Sequence, residues 1–197
     1  MQPKIIENFI SKDTAKYLDE YFLNNIKLDE QGYANIGMSE FLPIYNTNYL
    51  FNTLKKDTPE EAIFYDTLKL ILESELSQFG FAKDDIGMEL FNYRSFGAGQ
   101  DFKDYHIDDY GGGGHLMTAL LYLNEDYEGG EIIFYDAEYP EEEGPVTYNP
   151  KAGSLFLFRG IDGHKVGEVL SGKRALLAMN CRTPAATAPL SYDYNGE

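Results

Sequence analysis

Apolar positions along the chain fall into two regimes. In the first half they recur with a helical period: Phe64, Leu68, Ile71, Leu72, Leu76 and Phe79 share one face of a helix. The preceding Thr58-Pro59-Glu60-Glu61 reads as its start. The Thr58 hydroxyl and the Glu61 carboxylate can serve each other's backbone donors, and proline fits the first helical position. An earlier helix is expected after Ser11, through Tyr17, Leu18, Tyr21 and Phe22. Between them, residues 28–57 carry Tyr33, Phe41, Tyr45, Tyr49 and Phe51 with little periodicity, which predicts an irregular segment that wraps the core or reaches the mouth of a site. The second half changes character. Residues 118–123, 131–135 and 154–158 are short β-favouring runs bounded by Gly, Asn or Pro. The predicted class is therefore α+β and mainly β. A chain of 197 residues forms one domain, with a helical part over about 1–85 and a strand core over about 86–185.

Chemistry concentrates in that second half. In Tyr105-His106-Ile107-Asp108-Asp109 an imidazole and a carboxylate stand two residues apart, and residues i and i+2 of a strand project from the same face. His164, after the apolar run at 154–158, supplies a second imidazole. Two histidines and a carboxylate on one face of an octahedron leave open positions for a cosubstrate and O2, the pattern of non-heme iron(II) oxygenases. With only three histidines in the chain, two falling where a metal needs them is informative. The third, His115, follows four glycines at 111–114 and is expected to be a loop residue outside the ligand set. The glycine run itself is expected to be a flexible lid or a plain connector. An oxygenase of this kind draws two electrons from a dicarboxylic acid and must hold its far carboxylate. A turn at Ser171-Gly172 would bring Arg174 back beside the metal, where its planar fork suits a carboxylate. Lys173 competes for the role, because alternation lets only one of the two neighbours face inward.

These residues resemble those of the iron(II) and 2-oxoglutarate dependent dioxygenases, specifically the prolyl 4-hydroxylase-like branch. The resemblance runs from Glu89 to Thr183. Its pieces, in order, are Phe96-Gly97-Ala98-Gly99-Gln100, His106-Ile107-Asp108, Leu120-Leu121-Tyr122-Leu123-Asn124, Gly129-Gly130-Glu131-Ile132-Ile133-Phe134, Pro150-Lys151-Ala152-Gly153-Ser154-Leu155, His164 and Gly172-Lys173-Arg174. It implies a double-stranded β-helix, or jelly-roll, buttressed by N-terminal helices. By it His106, Asp108 and His164 match the iron ligands, Arg174 matches the anchor of the 2-oxoglutarate distal carboxylate, and Tyr122 matches a supporting hydroxyl. It further implies Fe(II), 2-oxoglutarate and O2, with ascorbate as a stimulant. The implied chemistry passes through an iron(IV)-oxo intermediate, yields succinate and CO2, and hydroxylates a prolyl residue in a peptide or protein. Phe96 stands where relatives often carry a tyrosine. Asn92, Arg94 and Phe96 share strand parity and are candidates for the substrate side. A free amino acid or another small molecule is the alternative substrate. A metal-binding jelly-roll without turnover is the alternative class.

Composition narrows the partners. A formal charge of −17, from 33 acidic against 16 basic side chains, disfavours nucleic acid, whose binding rests on Lys and Arg. Acidic residues cluster at Asp136, Glu138 and Glu141-Glu142-Glu143, which tilts the expectation weakly toward a neutral or basic peptide. There is no long apolar run, and Met1-Gln2-Pro3-Lys4-Ile5-Ile6-Glu7 lacks the pattern of a secretory leader. One cysteine, Cys181, precludes an internal disulfide, and a cytoplasmic location without membrane attachment is expected. The sequence leaves the oligomeric state open.

Overall fold

The computed structural model describes residues 3–25, 27–28, 32–37, 42–43, 87–100, 102–109, 115–135 and 144–182. The predicted helix over 58–79, most of the irregular segment, the glycine run at 111–114 and the acidic cluster at 136–143 lie outside these residues.

Two antiparallel sheets face each other. The larger has the order β1-β10-β6-β12-β4-β2, formed by Lys4–Ile6, Leu155–Arg159, His115–Tyr122, Val169–Arg182, Gly87–Gly97 and Tyr33–Gly37. Leu42–Pro43 (β3) adds to β4, and Tyr127–Gly129 (β7) adds to β12. The smaller has the order β5-β11-β8-β9, formed by Phe102–His106, His164–Val166, Ile132–Phe134 and Val146–Tyr148. This is the jelly-roll architecture expected from the resemblance. Between the sheets lies an apolar core: Leu120, Tyr122, Phe156, Phe158, Leu176 and Ala178 from the larger, and Ile132, Phe134 and Val166 from the smaller. The predicted strand runs at 118–123, 131–135 and 154–158 are β6, β8 and β10 to within a few residues.

Among the described residues the first half supplies, besides α1 (Lys12–Asn25), three strands that its residue pattern did not announce, β1, β2 and β3, which extend the larger sheet on both sides. The helix starts where expected: Ser11 accepts the Thr14 amide proton through its hydroxyl at 3.1 Å, and Asp13 sits favourably in the first turn. Among the described residues no helix is long and apolar enough to cross a membrane.

α1 closes the outer face of the larger sheet. Ala15, Leu18 and Phe22 are buried, and Phe22 stacks on Tyr93 of β4 at 5.4 Å between ring centroids. Asp19, also buried, accepts hydrogen bonds from the Tyr93 hydroxyl at 2.6 Å and from Lys173 Nζ at 2.8 Å. One carboxylate thus joins helix, β4 and β12. Burial and the neighbouring Asp19 push the Tyr93 hydroxyl far above the ordinary phenol range, so it remains a donor.

β12 also departs from expectation. Ser171-Gly172 is not a reversal. The strand continues through it with a register shift between Val169 and Ser171, pairing first with β7 and then with β4 and β6. Gly172 has φ 78° there, and a Cβ on it would lie 2.5 Å from the Asp126 carbonyl oxygen. The glycine serves a close backbone approach within a bulge rather than a turn. Arg174 therefore reaches the interior from the larger sheet, whereas β11 belongs to the smaller, so the two are not on adjacent strands.

Candidate active site

His106 ends β5 and His164 begins β11, and the two are direct cross-strand partners. Their rings lie 4.3 Å apart between centroids. Asp108 stands two residues past the end of β5, in a bend, so strand parity alone does not aim it. Its Oδ1 nevertheless lies 3.7 Å from His106 Nε2 and 3.9 Å from His164 Nε2, and one ligand atom from each of the three residues falls within 4.8 Å of the others. The structure brings the three predicted residues together.

Both imidazoles are prepared to present Nε2. His106 Nδ1 is 2.9 Å from the Asp104 carbonyl, and His164 Nδ1 is 3.0 Å from the Asp162 carbonyl. A carbonyl only accepts, so each Nδ1 carries the proton and each Nε2 offers its lone pair. Asp162 is itself fixed, because Arg159 donates to its carboxylate from Nε at 3.0 Å, from Nη2 at 2.6 Å and from the backbone at 2.9 Å. Such outer partners orient metal-binding histidines. Phe134 and Phe158 pack on the His164 ring at 5.7 and 4.7 Å between centroids.

The site's electrostatics suit a cation. Burial lowers the His164 pKa, against the pull of Asp108, so the ring stays neutral and available. Burial acts upward on Asp108, but His164, His115 and the Thr118 hydroxyl outweigh it and hold the carboxyl below its ordinary value. A neutral His164 imidazole and an ionised Asp108 carboxylate are the protonation states that a divalent metal needs from these two residues.

Arg174 and Lys173 part as alternation requires. Lys173 points outward to Asp19, whereas Arg174 is 1% exposed and turns into the space between the sheets. Arg174 Nη2 donates to the Tyr122 hydroxyl at 2.8 Å, and the guanidinium sits 5.8 Å from the Phe96 ring centroid. Its Nε and the hydroxyl of Tyr127 on β7 are buried and make no well-aligned hydrogen bond, although the two side chains lie close enough for Arg174 to act on the phenol. Burial raises the pKa of both phenols, which remain protonated donors. Buried polar groups without partners are rare enough to call for a ligand. The unmet demand here, a guanidinium edge and a phenol, matches an anion such as a carboxylate. Sequence reasoning missed Tyr127, whose one signal is an aromatic residue between Asp126 and Glu128.

Arg94 lies opposite Leu176, on the face that carries Phe96 and Arg174, and its charge acts on both Tyr122 and His164. The predicted parity of 94 and 96 thus holds. The side chain of Asn92 lies outside the described residues. His115 is not a loop residue. It opens β6, is 3% exposed, and lies behind Asp108 rather than among the three clustered groups.

Comparison with known proteins agrees with this geometry. The 2OG-Fe(II) oxygenase superfamily profile matches residues 88–182. The chain is 29% identical over 120 residues to probable prolyl 4-hydroxylase 11 of Arabidopsis thaliana, covering 59% of this chain and 42% of that protein. It is 39% identical over 64 residues to prolyl 3-hydroxylase 2 of Homo sapiens, covering 32% of this chain and 9% of that one. The chain thus spans less than half the length of either relative. Its fold is similar to that of a prolyl hydroxylase from Trichoplax adhaerens solved with a hypoxia inducible factor peptide fragment. That likeness has a TM-score of 0.68 and 19% identity, covering 96% of this chain and 87% of that one.

Proposed function

We infer that this chain, whose residues 88–182 match the 2OG-Fe(II) oxygenase superfamily, is a 2-oxoglutarate- and O2-dependent hydroxylase acting on prolyl residues of a peptide or protein. The observation that carries the reading is that the His106, Asp108 and His164 cluster and the buried Arg174 edge border the same aromatic core, His164 through Phe134 and Phe158 and Arg174 through Tyr122. The donor set fits iron(II): two imidazole nitrogens and one carboxylate oxygen, with room left for other ligands.

In this reading His106 Nε2, His164 Nε2 and Asp108 Oδ1 hold the metal, which when bound supplies the activation of O2. Arg174 takes the distal carboxylate of 2-oxoglutarate on its Nε and Nη2 edge. Tyr122 and Tyr127 donate to the same carboxylate, and the Tyr127 hydroxyl compensates for the one that Phe96 lacks. The Phe134, Phe156 and Phe158 side chains line the interior between anchor and metal and exclude water. The balance is one 2-oxoglutarate, one O2 and one C–H bond consumed, and succinate, CO2 and one C–OH bond formed. Ascorbate sustains turnover by keeping the metal reduced. A peptidyl substrate is supported by the names of the relatives, which include both prolyl 4- and prolyl 3-hydroxylases.

The test is succinate release by purified protein with Fe(II), ascorbate, O2 and 2-oxoglutarate, with proline-containing peptides or free proline, followed by mass spectrometry. Peptide-dependent succinate together with one oxygen atom added to the peptide is expected. Stimulation by free proline alone rejects the peptidyl reading, and no succinate with either rejects the hydroxylase.

A further inference from the structure

Asp108 is the one member of the trio that no strand aims, yet it has a defined orientation. Its two oxygens face different ways: Oδ1 toward the imidazoles, and Oδ2 toward the Thr118 hydroxyl, which donates to it. A hydroxyl has a single proton to give, and a carboxylate only accepts. The contact between Thr118 Oγ1 and His115 Nε2, at 2.9 Å, must therefore run the other way, with the His115 N–H donating to Thr118. That fixes the His115 tautomer and makes a directed chain from His115 through Thr118 to Asp108.

The chain is built in. His115 is 3% exposed and Thr118 is 3% exposed. The His115 amide donates to Asp109 Oδ1 at 3.3 Å, and the Asp109 amide donates to the Gly160 carbonyl at 2.9 Å. A Cβ on Gly160 would lie 2.7 Å from His115 Cδ2 and 2.3 Å from the His115 carbonyl oxygen, so the ring has its seat only because residue 160 is glycine.

We propose that His115 and Thr118 are positioning residues that lock Asp108 as a one-oxygen ligand, by holding Oδ2 away from the metal. This rests on the iron reading of the site. A carboxylate that swung to bind through both oxygens would take a position that the cosubstrate or O2 requires. The lock keeps that position open.

The test uses Co(II) titration of the metal-free full chain, followed by visible absorption, with urea unfolding of each metal-free variant alongside. Thr118→Val keeps the shape and removes the donor, and it is expected to weaken Co(II) binding about 10- to 100-fold. Thr118→Ser is expected to retain it to within about 3-fold. His115→Leu is expected to weaken binding about 10-fold, and His115→Gln, whose amide can donate in place of the imidazole, to restore most of it. Thr118→Val and His115→Leu that bind Co(II) like the wild type overturn the lock. Infrared difference spectra of wild-type protein with and without Co(II) need no variant to fold. A one-oxygen carboxylate signature supports the proposal, and a two-oxygen signature overturns it. Wild-type protein that takes up no Co(II) overturns the iron reading itself, whereas uptake with unchanged variants overturns the lock alone.

Discussion

His164 Nε2, His106 Nε2 and Asp108 Oδ1 have no substitutes nearby, since the described residues hold no other cluster of metal-binding side chains. Alanine at any of the three should weaken metal binding by more than about 100-fold, beyond the loss that an outer partner brings, and abolish succinate release; metal titration checks the first and product analysis the second. Arg174→Ala and Lys173→Ala should separate. The first removes a buried charge-assisted contact and should raise the KM for 2-oxoglutarate at least about 10-fold. The second should leave that KM unchanged and lower stability by about 1 kcal/mol, because Lys173 contacts Asp19 on the opposite face and is partly exposed. Acid sensitivity follows from His164. Burial lowers its pKa in the folded protein, so the unfolded chain binds protons more readily. Its contribution to stability is present above the unfolded value of about 6.5 and is lost as pH falls below it. Asp108, held low by its neighbours, adds a loss in the same direction at still lower pH. Urea midpoints of metal-free protein should fall on acidification through this range.

At the scale of elements, α1 is fastened by one carboxylate. Tyr93→Phe removes a buried donor to Asp19 and should cost about 1 kcal/mol in urea unfolding, whereas Asp19→Ala leaves both Tyr93 and Lys173 without their acceptor and should cost about 2–3 kcal/mol. How legible each element was depends on what its side chains do. β6, β8 and β10 bury alternate or successive apolar residues, and α1 announces itself through Ser11 and its apolar stripe, so their patterns are visible. β2, with sequence Tyr-Ala-Asn-Ile-Gly, pairs with β4 but is built largely of alanine, asparagine and glycine, residue types that do not announce a strand. Ser171-Gly172 misled because glycine next to serine signals a turn, whereas the φ of 78° here serves a bulge against β7. His106 and His164 were legible through their strands. The orientation of Asp108 was not, because Thr118, ten residues on, sets it. His115 was misplaced for a related reason: the glycines before it suggest a loop, while its burial depends on Gly160, far away in sequence.

For the whole molecule, a metal bound at the proposed site would belong to the folded state. An unfolded chain does not assemble two strands of the smaller sheet, so ligation is linked to folding: metal at about 100 times its Kd should add about 2.7 kcal/mol of stability. Thermal unfolding of Co(II)-loaded protein should shift upward accordingly, and a chelator should reverse the shift. The charge of −17 works the other way through self-repulsion, which moderate salt screens. The position of β5 gives that linkage a direction in space. It lies at the edge of its sheet and, among the described residues, pairs only with β11, whereas β12 is paired along both sides. Without metal, β5 is held in its sheet from one side only and can peel away from β11. With metal, His106 and Asp108 are tied through the ion to His164 on the inner strand, and the edge is clasped shut. Loading the site should therefore slow amide hydrogen exchange at residues 102–108 far more than at 174–179. The ion would then do mechanical work as well as chemistry, turning one open margin of the smaller sheet into a closed seam.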